Sequence, residues 1–205
     1  MRSLIYDIDN TLTPTTKHYF RELHRLLKHP KPVEELIANH ELVEHVPEWQ
    51  SHPQFGEEFQ KLLYCGVTHA QLPPIEGSQA AVWNTHSRTP TAGYLTARPH
   101  TLTEVTEIWL RTHGFPIEWL PAYHRPADVD AKDANAWKAD FLVERFPEIG
   151  GIADDSRGLP RELKKRGYRG KVFIVGSAEH PLQDEEHYIP CPTLDHILDH
   201  IKRSA

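Results

Sequence analysis

The chain has 205 residues, 39% hydrophobic and 25% charged, with a formal net charge of −6 when histidine is neutral. This is enough length and apolar content to bury the core of one domain with an insertion, or of two small domains, and it excludes a disordered chain. The negative balance offers no basic footprint for a nucleic-acid duplex, and no apolar run approaches the length of a bilayer, so neither duplex nucleic acid nor a membrane is expected as a partner.

The first residues feed directly into a strand instead of a signal peptide, and a cytoplasmic protein is expected. Cys65 and Cys191 lie far apart without CxxC spacing, which suggests reduced thiols and no zinc site. Fifteen histidines are unusual, and many fall in the first half: His18, His24, His29, His40, His45, His52, His69 and His86. None forms an HExxH or His-x-His pair, so surface positions are expected for them.

In chain order, Ser3 to Ile8 reads as a short strand of β-branched and aromatic residues that ends in Asp7-x-Asp9. A strand alternates its faces, so Asp7 and Asp9 would project the same way at the carboxyl edge of a sheet. Two such charges need a cation or a shared proton. After Pro14 the period becomes helical: Tyr19, Leu23, Leu26 and Leu27, then Val33, Leu36, Ile37, Val43 and Val46, then Phe55, Phe59, Leu62 and Leu63 up to Gly66. Residues 15–74 therefore read as a small helical subdomain inserted between 1–14 and 75–205.

From Ile75 an α/β rhythm begins, with a helix from Gly77 to Ser87 and a strand from Ala92 to Thr96. A helix from Thr101 to His113 has Thr101 and Glu104 as a capping box and an apolar stripe of Leu102, Val105, Ile108 and Trp109. A strand near Ile117 to Tyr123 is expected next, then a helix from Ala136 to Phe146 and a buried strand Gly151–Ala153. A helix Pro160–Arg166, a strand Lys171–Val175 and a last helix around Leu194 to Ile201 complete the pattern. Such alternation predicts an α/β fold: a mostly parallel, Rossmann-like sheet covered by helices on both faces, with its ligand crevice at the carboxyl ends of the strands.

Four groups fall at or near that edge: Asp7 and Asp9; Thr96 in Tyr94-Leu95-Thr96-Ala97-Arg98-Pro99; Lys138 in Trp137-Lys138-Ala139; and Asp154-Asp155 in Ile152-Ala153-Asp154-Asp155-Ser156. Singly, each has an ordinary explanation as a cap, a turn or a solvated charge. Jointly, and in this order, they resemble the four motifs of the haloacid-dehalogenase-like superfamily of phosphotransferases. The likeness runs from Arg2 to about Val175 apart from the insertion.

That resemblance implies a phosphatase. Asp7 would be the nucleophile that forms an aspartyl-phosphate, and Asp9 would protonate the leaving oxygen and then activate water. Thr96 and Lys138 would bind the phosphoryl group, and Arg98, on a loop expected to set selectivity, would join them in binding the substrate. Asp7, Asp9 (through its carbonyl), Asp154 and Asp155 would hold Mg²⁺. Lys132 stays open as the alternative third-motif lysine, and Asp154 competes with Asp155 as the closer metal ligand. The insertion resembles a cap that closes over a small phosphorylated substrate, a nucleoside monophosphate first. The alternatives are a sugar phosphate, a polynucleotide 3′-phosphate or a phosphomutase reaction. A signalling module that only carries or binds the phosphoryl group is the non-enzymatic alternative. A receiver domain is disfavoured because its paired acids come first, whereas here Asp154-Asp155 comes late.

Overall fold

In the computed structural model, which describes residues 1–177 and 188–203, the elements run in order as follows. Strand β1 (Leu4–Tyr6) is followed by five helices: α1 (Thr15–Leu27), α2 (Val33–Asn39), α3 (Pro47–Gln50), α4 (Phe55–Tyr64) and α5 (Gly66–Gln71). Then come α6 (Ser78–His86), β2 (Thr91–Pro99), α7 (Thr103–Thr112), β3 (Ala122–Arg125), α8 (Ala134–Glu144) and β4 (Gly151–Asp154). Helix α9 (Leu159–Lys165), β5 (Lys171–Val175), β6 (Tyr188–Cys191) and α10 (Asp195–Arg203) complete the chain. Among the described residues, no helix is long and apolar enough to cross a membrane.

All six strands are parallel, in the order β3-β2-β1-β4-β5-β6. Helices lie in the connections from β1 to β2, β2 to β3, β3 to β4 and β4 to β5, and the pleat explains how both faces are covered. Leu4 and Tyr6 point to one face with Tyr94, Ala153 and Phe173, where Val82, Trp109, Leu110 and Ile197 pack from α6, α7 and α10. Ile5 points to the other with Leu95, Ile152 and Val172, where Ala139, Leu142, Leu159 and Leu163 pack from α8 and α9. Strands wet on neither face read as near-continuous apolar runs.

The helices between β1 and α6 have a core of their own, built from Tyr19, Phe20, Leu23, Leu36, Val46, Trp49 and Leu62. Where this segment leaves and rejoins the sheet, the two chain passages are tied together. Ile75 N donates to Leu12 O (2.7 Å) and Thr13 Oγ1 to Pro73 O (2.8 Å). Buried Trp109 on α7 adds a third tie, donating Nε1–H to Leu72 O (2.7 Å).

Several expectations change. The strand expected near 117–123 is confined to Ala122–Arg125, because Ile117 and Phe115 turn into the core while Trp119 is exposed. The capping box of Thr101 with Glu104 does not form. A 3₁₀ turn over His100–Leu102 opens the helix instead, and Thr103 Oγ1 donates to His100 O (2.7 Å). Ile108 faces solvent, and Thr106, Trp109 and Leu110 make the buried face. Two histidines expected at the surface, His29 and His69, are buried because each fills a gap in the helical segment beside Trp49 or Tyr19. Strand β6 had no counterpart in the sequence reading.

Candidate functional site

The strand order places the site. The order of connection reverses at β1, whose two neighbours are β2 and β4, and in open α/β sheets ligands sit at such a switch point, outside the carboxyl ends of the strands. Tyr6 pairs with Ala153 across one ladder and with Tyr94 across the other. Asp7, one residue on, donates its N–H to Ala153 O (2.8 Å) and stands opposite Asp154, while Thr96 lies on neighbouring β2 two residues beyond the Tyr94 that pairs with Tyr6.

Beyond Asp9 the chain must turn at once. Asn10 takes a left-handed conformation (φ 60°), which Asn tolerates better than most residues. Its side chain then accepts from Thr16 N and donates to Thr16 Oγ1, both at 2.9 Å, which ties the turn to the first residues of α1.

Lys138, buried on α8, reaches the edge from below the sheet and donates to Asp7 Oδ1 (2.8 Å) and Asp154 Oδ2 (2.7 Å). Asp154 Oδ1 accepts from Ser156 N (2.8 Å), so each Asp154 oxygen has one protein donor and a lone pair to spare. The alternative lysine, Lys132, is exposed beside Asp130 at 3.5 Å. Asp7, Asp154 and half-buried Asp155 each offer an oxygen within 4.8 Å of the others.

Three carboxylates against one ammonium leave this corner short of positive charge. Burial raises the Asp7 carboxyl above its usual range. Lys138 opposes that rise, and the charges of Asp154 and Asp9 add to it. Withdrawal from water likewise raises Asp155, with Asp7 and Asp154 reinforcing it. Burial works against the charge on Lys138, but Asp154 and Asp7 outweigh it and hold the ammonium charged. An all-oxygen donor set with surplus negative charge fits a hard divalent cation. The residues that would hold it are Asp7, Asp155 and Asp154.

Asp9 is turned away from this corner. Burial alone would raise it, but the Arg98 guanidinium, its hydrogen bonds, His69 and Thr15 together hold the Asp9 carboxyl well below the usual carboxylate range. Arg98 donates through Nε to Oδ2 (3.0 Å) and through a terminal nitrogen to Oδ1 (2.8 Å), while Thr15 Oγ1 donates to Oδ1 (2.5 Å). Arg98 was expected among the substrate-binding groups. It is buried, meets Asp9 in the two-point contact that a planar guanidinium makes with a carboxylate, donates also to Thr106 Oγ1 (3.3 Å) and lies 5.9 Å from the Trp109 ring centroid. Nothing in the Thr-Ala-Arg-Pro string shows that partner. Thr96 is also buried; its Oγ1 accepts from Arg98 N (3.2 Å), which leaves the hydroxyl proton to donate.

A cleft of about 1150 Å³ opens between the helical segment and the loops after β1, β4 and β5. It reaches Asp155 and Ser156 and carries charges of both signs, Lys17, Arg157 and Arg161 among them.

No protein-family model matches the sequence, and no curated protein matches it. Solved structures do match in fold. A haloacid-dehalogenase-like protein of unknown function from Agrobacterium tumefaciens superposes with a TM-score of 0.68 at 15% identity, covering 100% of this chain and 99% of that one. A haloacid-dehalogenase-family hydrolase from Deinococcus radiodurans, solved with bound phosphate and sodium, gives 0.60 at 12% identity over 100% and 96%. Protein tyrosine kinase A of Mycobacterium tuberculosis gives 0.65 at 14% identity over 98% and 97%. The chain thus has the haloacid-dehalogenase-like α/β fold. A hydrolase and a kinase share that fold, so the reaction has to be argued from the site.

Proposed function

We propose that this protein is a Mg²⁺-dependent phosphohydrolase that cleaves a small phosphomonoester through an aspartyl-phosphate on Asp7. The observation that supports it is Lys138 clasping Asp7 and Asp154, with Asp155 alongside, at the switch-point edge. Phosphoryl transfer asks for an in-line nucleophile surrounded by positive charge and donors, and little else.

Asp7 Oδ1 is engaged by Lys138, so Oδ2 is the oxygen left to attack phosphorus. The new Oδ2–P bond forms as the bond to the leaving oxygen breaks, and the leaving oxygen takes up a proton. Lys138 and the Thr96 hydroxyl offset charge on the equatorial oxygens. Water then attacks phosphorus, its proton passes to Asp9, and the Asp7–phosphate bond breaks. A divalent cation held by Asp7, Asp155 and Asp154 would supply further charge neutralisation when bound. The Arg98 contact sets Asp9 as the base of the second step. To serve first as acid, Asp9 must take up a proton as that contact loosens.

The helices from 15 to 74 act in this reading as a cap that limits the site to small substrates and shields it from water. Nucleoside monophosphates lead, followed by sugar phosphates. The test is hydrolysis of p-nitrophenyl phosphate with and without chelator, extended to nucleotides, sugar phosphates, phosphopeptides and 3′-phosphorylated oligonucleotides. Metal-dependent turnover with preference for a small metabolite is expected. Equal rates in chelator would refute the metal. A stable phospho-Asp7 without turnover would mark a signalling module instead, and preference for a peptide or oligonucleotide would refute the cap.

A further inference from the structure

Trp109, on α7, has no part in the chemistry above, yet it carries two contacts of different kinds. Its Nε1–H donates to Leu72 O (2.7 Å), on the passage by which the helical segment returns to the sheet, and its ring centroid lies 5.9 Å from the guanidinium carbon of Arg98. Nearly one turn back on the same helix, Thr106 Oγ1 accepts from Arg98 Nη1 (3.3 Å). Residues three apart share a helix face, which is how α7 presents a ring and a hydroxyl to one arginine.

That arginine holds Asp9 in two-point contact, and Thr15, the first residue of α1, donates to the same carboxylate (2.5 Å). Asp9 is thus gripped from both places where the helical segment joins the sheet. The entry reaches it directly at Thr15, and the exit reaches it from Leu72 through Trp109 and Arg98. Helix α5 also packs on α7, with Gly66 beside Val105. Leu72, Trp109, Thr106 and Arg98 are each exposed by 3% or less, so none can trade its protein partner for water without moving. A close-packed interior passes such a displacement on to the next contact.

We propose that Trp109 is a positioning residue for Asp9: through Arg98 it ties the place of the Asp9 carboxylate to the seat of the helical segment on the sheet. This deepens the phosphohydrolase reading and rests on it. Arg98 attracts Asp9 with or without the indole; the indole fixes the direction from which it does so. Delivering a proton to a leaving oxygen depends on that geometry, and a catalytic group misplaced by about 1 Å keeps its charge while losing much of its effect.

The leaving group supplies the test. Dinitrophenolate departs as a stable anion and needs no proton, whereas phenolate needs one, so dinitrophenyl phosphate and phenyl phosphate are alike in shape and differ in their demand on Asp9. Their kcat/KM covers the steps up to loss of the leaving group, and the later attack of water does not enter it. Trp109→Phe keeps a ring near Arg98 and deletes the donor to Leu72 O. It should lower kcat/KM for phenyl phosphate by roughly tenfold or more and leave dinitrophenyl phosphate within about twofold of wild type. Where that variant does not fold, benzothienylalanine at position 109, which keeps the shape of the indole with sulfur in place of N–H, decides in its stead. Trp83→Phe is the control, since Trp83 Nε1–H also donates to a backbone carbonyl, Gly114 O (2.8 Å), but outside the path from Leu72 to Asp9; both substrates should be unaffected. Equal losses on the two esters after the change at Trp109, no loss on either, or the same selective loss in Trp83→Phe would make Trp109 a packing residue and overturn this inference alone. Hydrolysis of neither ester by wild type would overturn the phosphohydrolase reading and this inference with it.

Discussion

Replacing Asp7 with asparagine keeps the shape of the site and removes one of its three crowded carboxylates. Burial raises the Asp7 carboxyl, against the pull of Lys138 and with help from Asp154 and Asp9. A carboxyl raised by folding makes its full contribution to stability below its unfolded value, near pH 4, and that contribution is lost as the pH climbs through the raised folded value. Without a divalent cation the wild-type protein should therefore lose stability from about pH 4 to about pH 8, and Asp7→Asn should escape its share of that loss. One pKa unit is worth about 1.4 kcal/mol, and the rise at Asp7 is larger than that. The Lys138 ammonium keeps Asp154 at 2.7 Å, so the variant leaves no unpaired buried cation.

In chelator at about pH 8, Asp7→Asn should be more stable than wild type by at least about 1.4 kcal/mol, or about 3–6 °C in Tm for a domain of this size. Thermal unfolding followed by circular dichroism at several pH values reads this directly. The gap should close near pH 4. It should also close or reverse in Mg²⁺, because wild type gains about 2.7 kcal/mol at a hundredfold excess over Kd and the variant gains less. A variant less stable than wild type in chelator at about pH 8 would refute the charge argument, as would a gap unchanged in acid. Turnover should be abolished under all conditions.

Lys138→Met should abolish turnover and also destabilise the fold by about 3–5 kcal/mol, since it strands two buried carboxylates; a urea midpoint unchanged from wild type would show that they are compensated otherwise. Gly93→Ala should cost about 2–4 kcal/mol, because the residue sits at φ 134° and a Cβ there would lie 2.3 Å from Pro121 O; a Tm within about 2 °C of wild type would contradict the close approach.

Much of the sheet was legible because its strands are dry on both faces and stand out as apolar runs, and because each strand end carries a short polar string. Lys171–Val175 is found at its expected bounds for that reason. Strand β6 escaped because it holds Pro190 and only four residues; an edge strand tolerates a proline that a central one would not. The site was legible in its residues and less so in its pairings. The approach of Asp7 and Asp154 follows once their strands are neighbours. The Arg98–Asp9 contact depends on where α7 sets Thr106 and Trp109, and no local string encodes that. The buried positions of His29 and His69 were hidden for a similar reason, since histidine is as much at home on a surface as in a core and only tertiary packing decides.

The pinned passages at 12–13 and 73–75 have a consequence for how such a chain can vary. Because Leu12 and Ile75 are already hydrogen-bonded neighbours, everything between them is a closed excursion whose ends stay together whatever its length, and lengthening such an excursion costs little closure entropy. Duplication, shrinkage or wholesale exchange of the helices can then proceed without reopening the sheet. Thr15 is the exception: its hydroxyl is the excursion's first direct touch on Asp9, so a transplanted segment brings a new neighbour to that carboxylate along with its new shape.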